Sequence, residues 1–211
     1  MENVNPQIYE AFQKIKEGNF PAAEKILKEG LQGIAPAGDE TQQALYHSTW
    51  GVLCKVKGED KEAWRHYDLA EKLLPEDPSL KIISAKFLIE RFAQFDTALK
   101  KLKKVLEVAK GSPSFEHQAH AIMALAYLKK GERKRAKTSL ESAMAGDFQS
   151  MITAANINLD VIDGFLARNF EVGLCKAYLE KGLALAASKK EEKSVELFKK
   201  LLQSFIPPLQ T

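Results

Sequence analysis

Apolar side chains recur along the chain at spacings of three and four residues, which is the period of a helix with one buried face. One such stripe runs from Ala98 to Ala109 and another from Val195 to Phe205. No stretch alternates apolar and polar residues in the way that predicts a half-buried strand. The hydrophobic pattern therefore predicts an all-helical chain.

A short pattern repeats four times in the first two thirds of the chain. A turn residue is followed five places later by a small residue, in the pairs Gly18 and Ala23, Gly58 and Ala63, Ala93 and Ala98, and Gly131 and Ala136. A large apolar residue stands nine places after each turn residue, as Leu27, Tyr67, Leu102 and Leu140. The turns are 40, 35 and 38 residues apart, and this spacing indicates a repeated helical hairpin.

The pattern resembles the tetratricopeptide repeat, a unit of about 34 residues that forms two antiparallel helices. The second copy matches the family signature best, at Trp50, Gly51, Cys54, Gly58, Ala63, Tyr67, Ala70 and Pro75. The resemblance implies an all-α fold, a right-handed α-α superhelix (solenoid) of about four to five helical hairpins with a C-terminal capping helix. The small residues at positions 51 and 63 would let the two helices of a hairpin approach closely.

The repeats are expected to occupy residues 1–148, and residues 149–211 to form a degenerate fifth hairpin and the capping helix. The approximate units are 4–37, 44–77, 79–112 and 117–148. The third unit has Ala93 where the family prefers glycine, so we expect its turn to close without the usual left-handed residue. Two arrangements fit the last third: a turn at residues 168–170 that leads into a second helix, or a helix over 172–187 that pairs with 191–205.

The composition of the chain excludes several classes of protein. The 211 residues are 45% hydrophobic and 28% charged, which excludes a disordered or collagen-like chain. The net charge of +3 is too small for a general polyanion binder, although residues 100–137 carry eleven basic and three acidic groups. The chain has two cysteines, no basic or apolar leader sequence and no uncharged stretch longer than fourteen residues. These features predict a cytoplasmic protein without a membrane segment.

No catalytic or cofactor motif is present in the sequence. A phosphate-binding loop, a dinucleotide fingerprint, a nucleophile elbow and a zinc-protease motif are all missing, so we expect a protein that is not an enzyme and uses no cofactor or metal. His117 and His120 would share a helix face, but a metal site needs further ligands. His47 and His120 hold equivalent positions in their repeats, where packing between hairpin helices is the favoured interpretation.

The resemblance also implies a concave groove lined by the first helix of each hairpin. The family's groove positions fall at Ile8, Phe12, Ser48, Val52, Ile83, Phe87, Ala121 and Leu125, with Lys16, Lys55, Arg91 and Lys129 at the rim. The set lacks the lysine–asparagine pair that clamps a C-terminal carboxylate. A partner helix or apolar peptide, the chain's own C-terminal helix or a second copy are the candidate occupants. A shift of one residue in register would instead make these positions ordinary core.

The basic surplus is the other candidate surface. Its predicted edge comprises Lys100, Lys101, Lys130, Arg133, Lys134, Arg135 and Lys137. A solvated face is the favoured interpretation, an acidic protein partner is second and nucleic acid is third, because no aromatic residues interleave with the lysines. We expect a non-catalytic scaffold or adaptor that binds another protein. The alternatives are a secretion-type chaperone for an apolar client and a nucleic-acid-binding helical module.

Overall fold

Helices dominate the computed structural model, which describes residues 5–34, 39–145, 148–151 and 153–205. These ranges contain eleven α-helices, two short 3₁₀ turns and no strand. The predicted ends of the first repeat, residues 4 and 37, and the predicted C-terminal boundary at 211 lie outside them. The chain divides into two compact units, Met1–Ala93 and Gln94–Thr211.

Unit 1 consists of two helical hairpins followed by a single helix. The helices are α1 (Pro6–Lys16), α2 (Phe20–Gly33), α3 (Glu40–Lys57), α4 (Asp60–Leu73) and α5 (Pro78–Arg91). α1 pairs with α2, α3 pairs with α4, and α5 packs against α4. The starts of α1, α2, α3 and α5 are set by side-chain caps, because a side-chain oxygen of Asn5, Asn19, Asp39 or Asp77 accepts a hydrogen bond from the first turn.

Unit 2 contains one further hairpin of the same kind and a C-terminal pair. The helices are α6 (Phe95–Val108), α7 (Pro113–Lys130), α8 (Arg133–Ala143), α9 (Asp160–Leu166), α10 (Val172–Ser188) and α11 (Glu192–Gln203). α7 packs against α6, α8 and the short α9. α10 pairs with α11, which is the second of the two arrangements that the sequence left open. Asn169 still forms a left-handed turn between α9 and α10, at φ 45°.

Three helix pairs close through a glycine that lies under an aromatic ring. A Cβ atom built on Gly51 of α3 would lie 2.5 Å from the ring of Tyr67 on α4. A Cβ on Gly182 of α10 would lie 2.5 Å from the ring of Phe198 on α11, at the same separation along the chain. Gly30 of α2 meets the ring of Tyr46 in the same way. The absent side chain lets each pair of backbones approach closely.

The turn after α5 corrects one expectation. Gly58 and Gly131 end α3 and α7 with φ values of 80° and 85°, as the repeat pattern predicts. The prediction that the third turn closes without a left-handed residue is wrong, because Ala93 has a φ of 53°. Alanine adopts this region only at a conformational cost of roughly 1–2 kcal/mol. The turn geometry is thus kept even where glycine is missing.

Gly182→Ala is expected to lower the free energy of unfolding by about 1–3 kcal/mol, because the new methyl group would overpack the buried ring of Phe198. The matched control is Gly173→Ala in the same helix, where nothing lies within 4 Å of an added Cβ. This control should be neutral or stabilising by up to about 1 kcal/mol through helix propensity. Urea unfolding of the two variants measures the difference, and equal effects would contradict the close approach.

Ala93→Gly is expected to raise the free energy of unfolding by up to about 1 kcal/mol, because glycine adopts the left-handed region without steric conflict. Ala109→Gly serves as the control, since Ala109 ends α6 with a φ of −108° and glycine gains nothing there. That variant should be destabilised by a similar amount through its more flexible unfolded chain. Thermal unfolding of both variants checks the opposite signs, and a loss of stability in Ala93→Gly would refute the explanation.

Candidate functional site

Six of the eight predicted groove residues lie on α1, α3 and α5 of unit 1, and four of these six share apolar clusters. Ile8 belongs to a core cluster against which Val52 packs. Val52 and Ile83 also pack against a second cluster that contains Phe87. Ile8 and Phe87 are buried, at 7% and 1% exposure, so these two side chains belong to the core of unit 1 and not to an open groove. Val52 and Ile83 are half-buried and accessible.

The accessible apolar surface of unit 1 is larger than the predicted groove. Phe12 is 38% exposed and half-buried Ser48 lies on α3. Three further residues on the same helices are exposed, namely Tyr9 (60%), Leu45 (43%) and Val56 (54%). We call Tyr9, Phe12, Leu45, Val52 and Val56 the N-terminal apolar face. Tyr9 and Phe12 are three residues apart on α1, and the three members on α3 are four and seven residues apart, so each set lies on one side of its own helix. The two helices contact each other. The spacings are visible in the sequence, but the solvent exposure of each side chain is not. The predicted groove therefore omits Tyr9, Leu45 and Val56.

Charged groups border the N-terminal apolar face. The Lys16 ammonium lies 5.4 Å from the centre of the Phe12 ring, and among the described residues it has no carboxylate within salt-bridge distance. Lys55 pairs with Glu90 across α3 and α5 at 2.7 Å. Arg91 lies 3.6 Å from the Asp60 carboxylate. Two of the three predicted rim cations of unit 1 are therefore neutralised within the unit, and the positive charge of Lys16 is left beside the exposed aromatic ring.

In unit 2 the chain itself covers the predicted groove positions. Ala121 and Leu125 on α7 are buried, at 0% and 7% exposure. A Cβ on Gly164 of α9 would lie 2.8 Å from Leu125 Cδ1, so α9 packs directly on this residue. Lys129, the predicted rim residue, is exposed near the end of α7. Sequence reasoning missed this cover because the α9 segment carries no repeat signature.

All residues of the predicted basic edge belong to unit 2, and much of their charge is engaged there. Lys130 of α7 contacts the Asp96 carboxylate at the start of α6 at 2.6 Å, which places the α7–α8 turn beside the first turn of α6. Arg135 pairs with Glu132 at 2.7 Å, and Lys137 pairs with Glu171 at 3.1 Å. Arg133 stacks on Phe170 at 5.2 Å. Lys100, Lys101 and Lys134 complete the predicted set, and the first and last of them are exposed.

Two histidines of unit 1 face each other between α3 and α4. The Nδ1 atoms of His47 and His66 are 3.0 Å apart, so one imidazole donates a hydrogen bond to the other. The Trp50 ring stacks on His66 at 5.0 Å. Burial lowers the pKa of His66 to about 4 and also lowers the pKa of His47. Two neutral rings packed in the hairpin agree with the packing role expected for His47.

A buried histidine in unit 2 joins four segments of the chain. His117 Nδ1 donates to the Ala143 carbonyl at 2.8 Å, which leaves Nε2 as an acceptor. The Asn158 N–H donates to this atom at 3.3 Å, and the Tyr178 hydroxyl lies 3.1 Å from it. Tyr178 also donates to the Asn158 carbonyl at 2.8 Å. Both nitrogens of His117 are therefore engaged, and neither is available to a metal ion.

The other reactive side chains are buried or isolated. Cys54 and Cys175 are free thiols in the core, and burial raises the pKa of each to about 11. A cavity of about 240 Å³ lies beside His117 and is lined by Glu116 and His120. Within the described ranges, no group of three or more His, Cys, Asp or Glu residues is arranged to hold a metal ion.

In the part of the chain that the structure describes, no helix is both long enough and apolar enough to cross a membrane.

Comparison with known proteins identifies the class of fold. No protein-family model matches the sequence, and no curated protein matches it. Solved structures do match, and three of them are 12–17% identical to this chain. PilW, a widely conserved type IV pilus biogenesis factor, is 12% identical and aligns with a TM-score of 0.63 over 98% of this chain and 97% of that chain.

Two further structures carry the name of the repeat. TTC0263, a thermophilic TPR protein of Thermus thermophilus, is 17% identical, with a TM-score of 0.58 over 94% of this chain and 96% of that chain. YrrB, a TPR protein with an unusual peptide-binding site, is 16% identical, with a TM-score of 0.51 over 94% and 93%. The predicted fold class, all-α with tandem helical hairpins of the tetratricopeptide type, is confirmed by these likenesses. At such identities they show the fold alone.

Acidification is expected to destabilise the region around His117. A protonated Nε2 would face the Asn158 N–H as donor against donor, and burial lowers the pKa of His117 below its ordinary value of about 6.5. The unfolded chain therefore takes up the proton first as the pH falls. The stabilisation is complete above about pH 7.5 and decreases below it, by up to about 1.4 kcal/mol at pH 5.5.

Hydrogen exchange of residues 153–166, corrected for intrinsic rates, provides the local measurement. Exchange should accelerate from pH 7.5 to pH 5.5 in the wild-type protein. His117→Gln removes the titrating group, so its exchange should be faster at both pH values and nearly independent of pH. A pH response of equal size in the variant would assign the effect to other groups.

Proposed function

We propose that this protein is a non-catalytic interaction module, a scaffold or adaptor whose N-terminal apolar face binds an apolar segment of another protein. The observation that carries the proposal is the exposure of aromatic and aliphatic side chains on neighbouring helices of one unit. Solvent-exposed apolar residues gathered on one face are typical of interaction sites. The tetratricopeptide fold agrees with such a role, and YrrB is described as having a peptide-binding site.

The chemistry of the face favours an amphipathic helix with acidic residues beside its apolar side. Tyr9 and Phe12 offer rings that a partner's aliphatic side chains would cover. Lys16 offers a cation without a carboxylate partner among the described residues, next to the Phe12 ring. An acidic side chain on the partner would complete this pair and speed the encounter. Apolar contacts would supply most of the affinity.

The other functions are less well supported. A nucleic-acid-binding role would use the basic edge, but Arg135, Lys130 and Lys137 already contact carboxylates of unit 2. A chaperone for an apolar client would use the same face as the adaptor and differs only in the fate of the client. We also propose that the protein has no catalytic activity and acts in the cytoplasm, since its two cysteines are buried free thiols typical of a reducing compartment.

Phe12→Glu is expected to abolish partner binding, because a buried unpaired carboxylate opposes the desolvation on which apolar binding depends. The loss should be at least a hundredfold in affinity, about 2.7 kcal/mol. The measurement is quantitative affinity capture from the native cell with wild-type and variant baits, followed by titration of the captured protein. Phe87, although a predicted groove residue, is unsuitable for this test because its ring is in the core.

Two variants control the experiment. Lys134→Glu reverses a charge on the basic edge of unit 2 and leaves every residue of the N-terminal apolar face unchanged, so a partner of this face should still bind to it. Val172→Glu places a carboxylate at a valine that is 37% exposed at the start of α10, far along the chain from the face. A partner that is lost with Lys134→Glu and retained with Phe12→Glu would refute the proposal in favour of the basic edge.

A further inference from the structure

Unit 2 contains another cavity, which is largely apolar and does not include the groove positions that the repeat pattern predicts. It has a volume of about 240 Å³ and is walled by α9, α10 and α11. Its lining is apolar except for Asp163 and Ser204, and comprises Leu159, Ile162, Leu166, Leu179, Leu197, Leu201 and Phe205. The Ser204 hydroxyl donates to the Leu201 carbonyl. Asp163 is exposed to solvent, and its carboxylate has no protein partner among the described residues.

The wall formed by α11 is itself a projecting apolar surface. Leu197 is 45% exposed, and Phe198 is the residue that α11 buries. Lys193 and Lys200 stand four residues before and three residues after Leu197, so both lie on its side of the helix. Both lysines are exposed, and neither has a carboxylate partner in the described part of the chain. α11 thus presents a leucine between two lysines.

These two features complement each other. The cavity has room for an aliphatic side chain and carries a carboxylate at Asp163, and α11 offers an aliphatic side chain flanked by cations. Leu197 cannot fill the cavity of its own molecule, because its side chain forms part of the wall of that cavity. Two copies related by a twofold axis can do so, since such an interface places the same two features opposite each other twice.

We infer that a second copy of this chain docks on the cavity, with Leu197 of each copy inserted into the cavity of the other and its lysines facing Asp163. The result is a symmetric dimer through the C-terminal hairpin. The anchor is a single leucine-sized group, so self-association is weak, with a Kd on the order of 100 µM. The residues named for this contact all belong to unit 2.

Sedimentation velocity from 5 to 500 µM tests the inference on the full chain. Wild-type protein is expected to shift from monomer to dimer over this range, and Leu197→Glu to weaken association at least tenfold. Leu45→Glu is the matched control, because Leu45 is 43% exposed on the N-terminal apolar face. It should dimerise like the wild type. A dimer that is lost in Leu45→Glu, or a wild-type chain that stays monomeric at 500 µM, overturns the proposal.

A charge exchange tests the geometry of the contact. Asp163→Lys alone, and Lys193→Glu with Lys200→Glu, should each weaken the dimer at least threefold at low salt. Combining all three substitutions should restore association to within about twofold of the wild type, since opposite charges then face each other again. Folding is checked by circular dichroism of each variant. Weakening that is additive in the combined variant contradicts the pairing of Asp163 with the lysines.

A different occupant would produce a different result. If residues 206–211 of the same chain fill the cavity, Leu209→Glu should release them and increase self-association. The proposal expects Leu209→Glu to leave the dissociation constant unchanged, so stronger self-association of this variant overturns it.

Discussion

The close approach of paired helices under an aromatic ring is the constraint on which the rest of this structure depends. Tyr67 and Phe198 are each almost completely buried, and each ring occupies the space that a side chain on the opposite helix would need. The ring therefore contributes its apolar area to the hairpin and also sets the distance between the helices. A larger residue at Gly51 or Gly182 would separate the helices and expose part of the core behind them.

The turns follow from that spacing. The paired helices are joined by connections of only two or three residues. A left-handed residue ends the first helix and reverses the chain in such a short connection. Gly58 and Gly131 meet this need at no steric cost. Lys190, between α10 and α11, meets it with a φ of 57°. The same geometry is thus obtained from different residues, and a search for glycine alone misses the α10–α11 turn.

The fold was more predictable from the sequence than the binding surface, and the reason is physical. Small and large residues at fixed separations, such as Gly51 and Tyr67, report a local contact within one hairpin. The exposure of a side chain depends on what packs above it. Leu125 and Phe12 hold equivalent positions in the repeat pattern, yet one lies beneath Gly164 of α9 and the other is open to solvent. No local pattern in the α7 sequence predicts that α9 packs on this helix.

The departure from the repeat after α8 has a consequence for recognition. A regular fifth hairpin would present its own groove positions, whereas here α9 packs against α7 and the chain continues into the α10–α11 pair. His117 fixes the segment between α8 and α9 against α7. One of its ring nitrogens contacts Ala143 at the end of α8, and the other contacts Asn158 just before α9. The covered face of α7 cannot serve a partner without displacing that segment. Exposed apolar side chains are found instead on α1 and α3 in unit 1 and on α11 in unit 2.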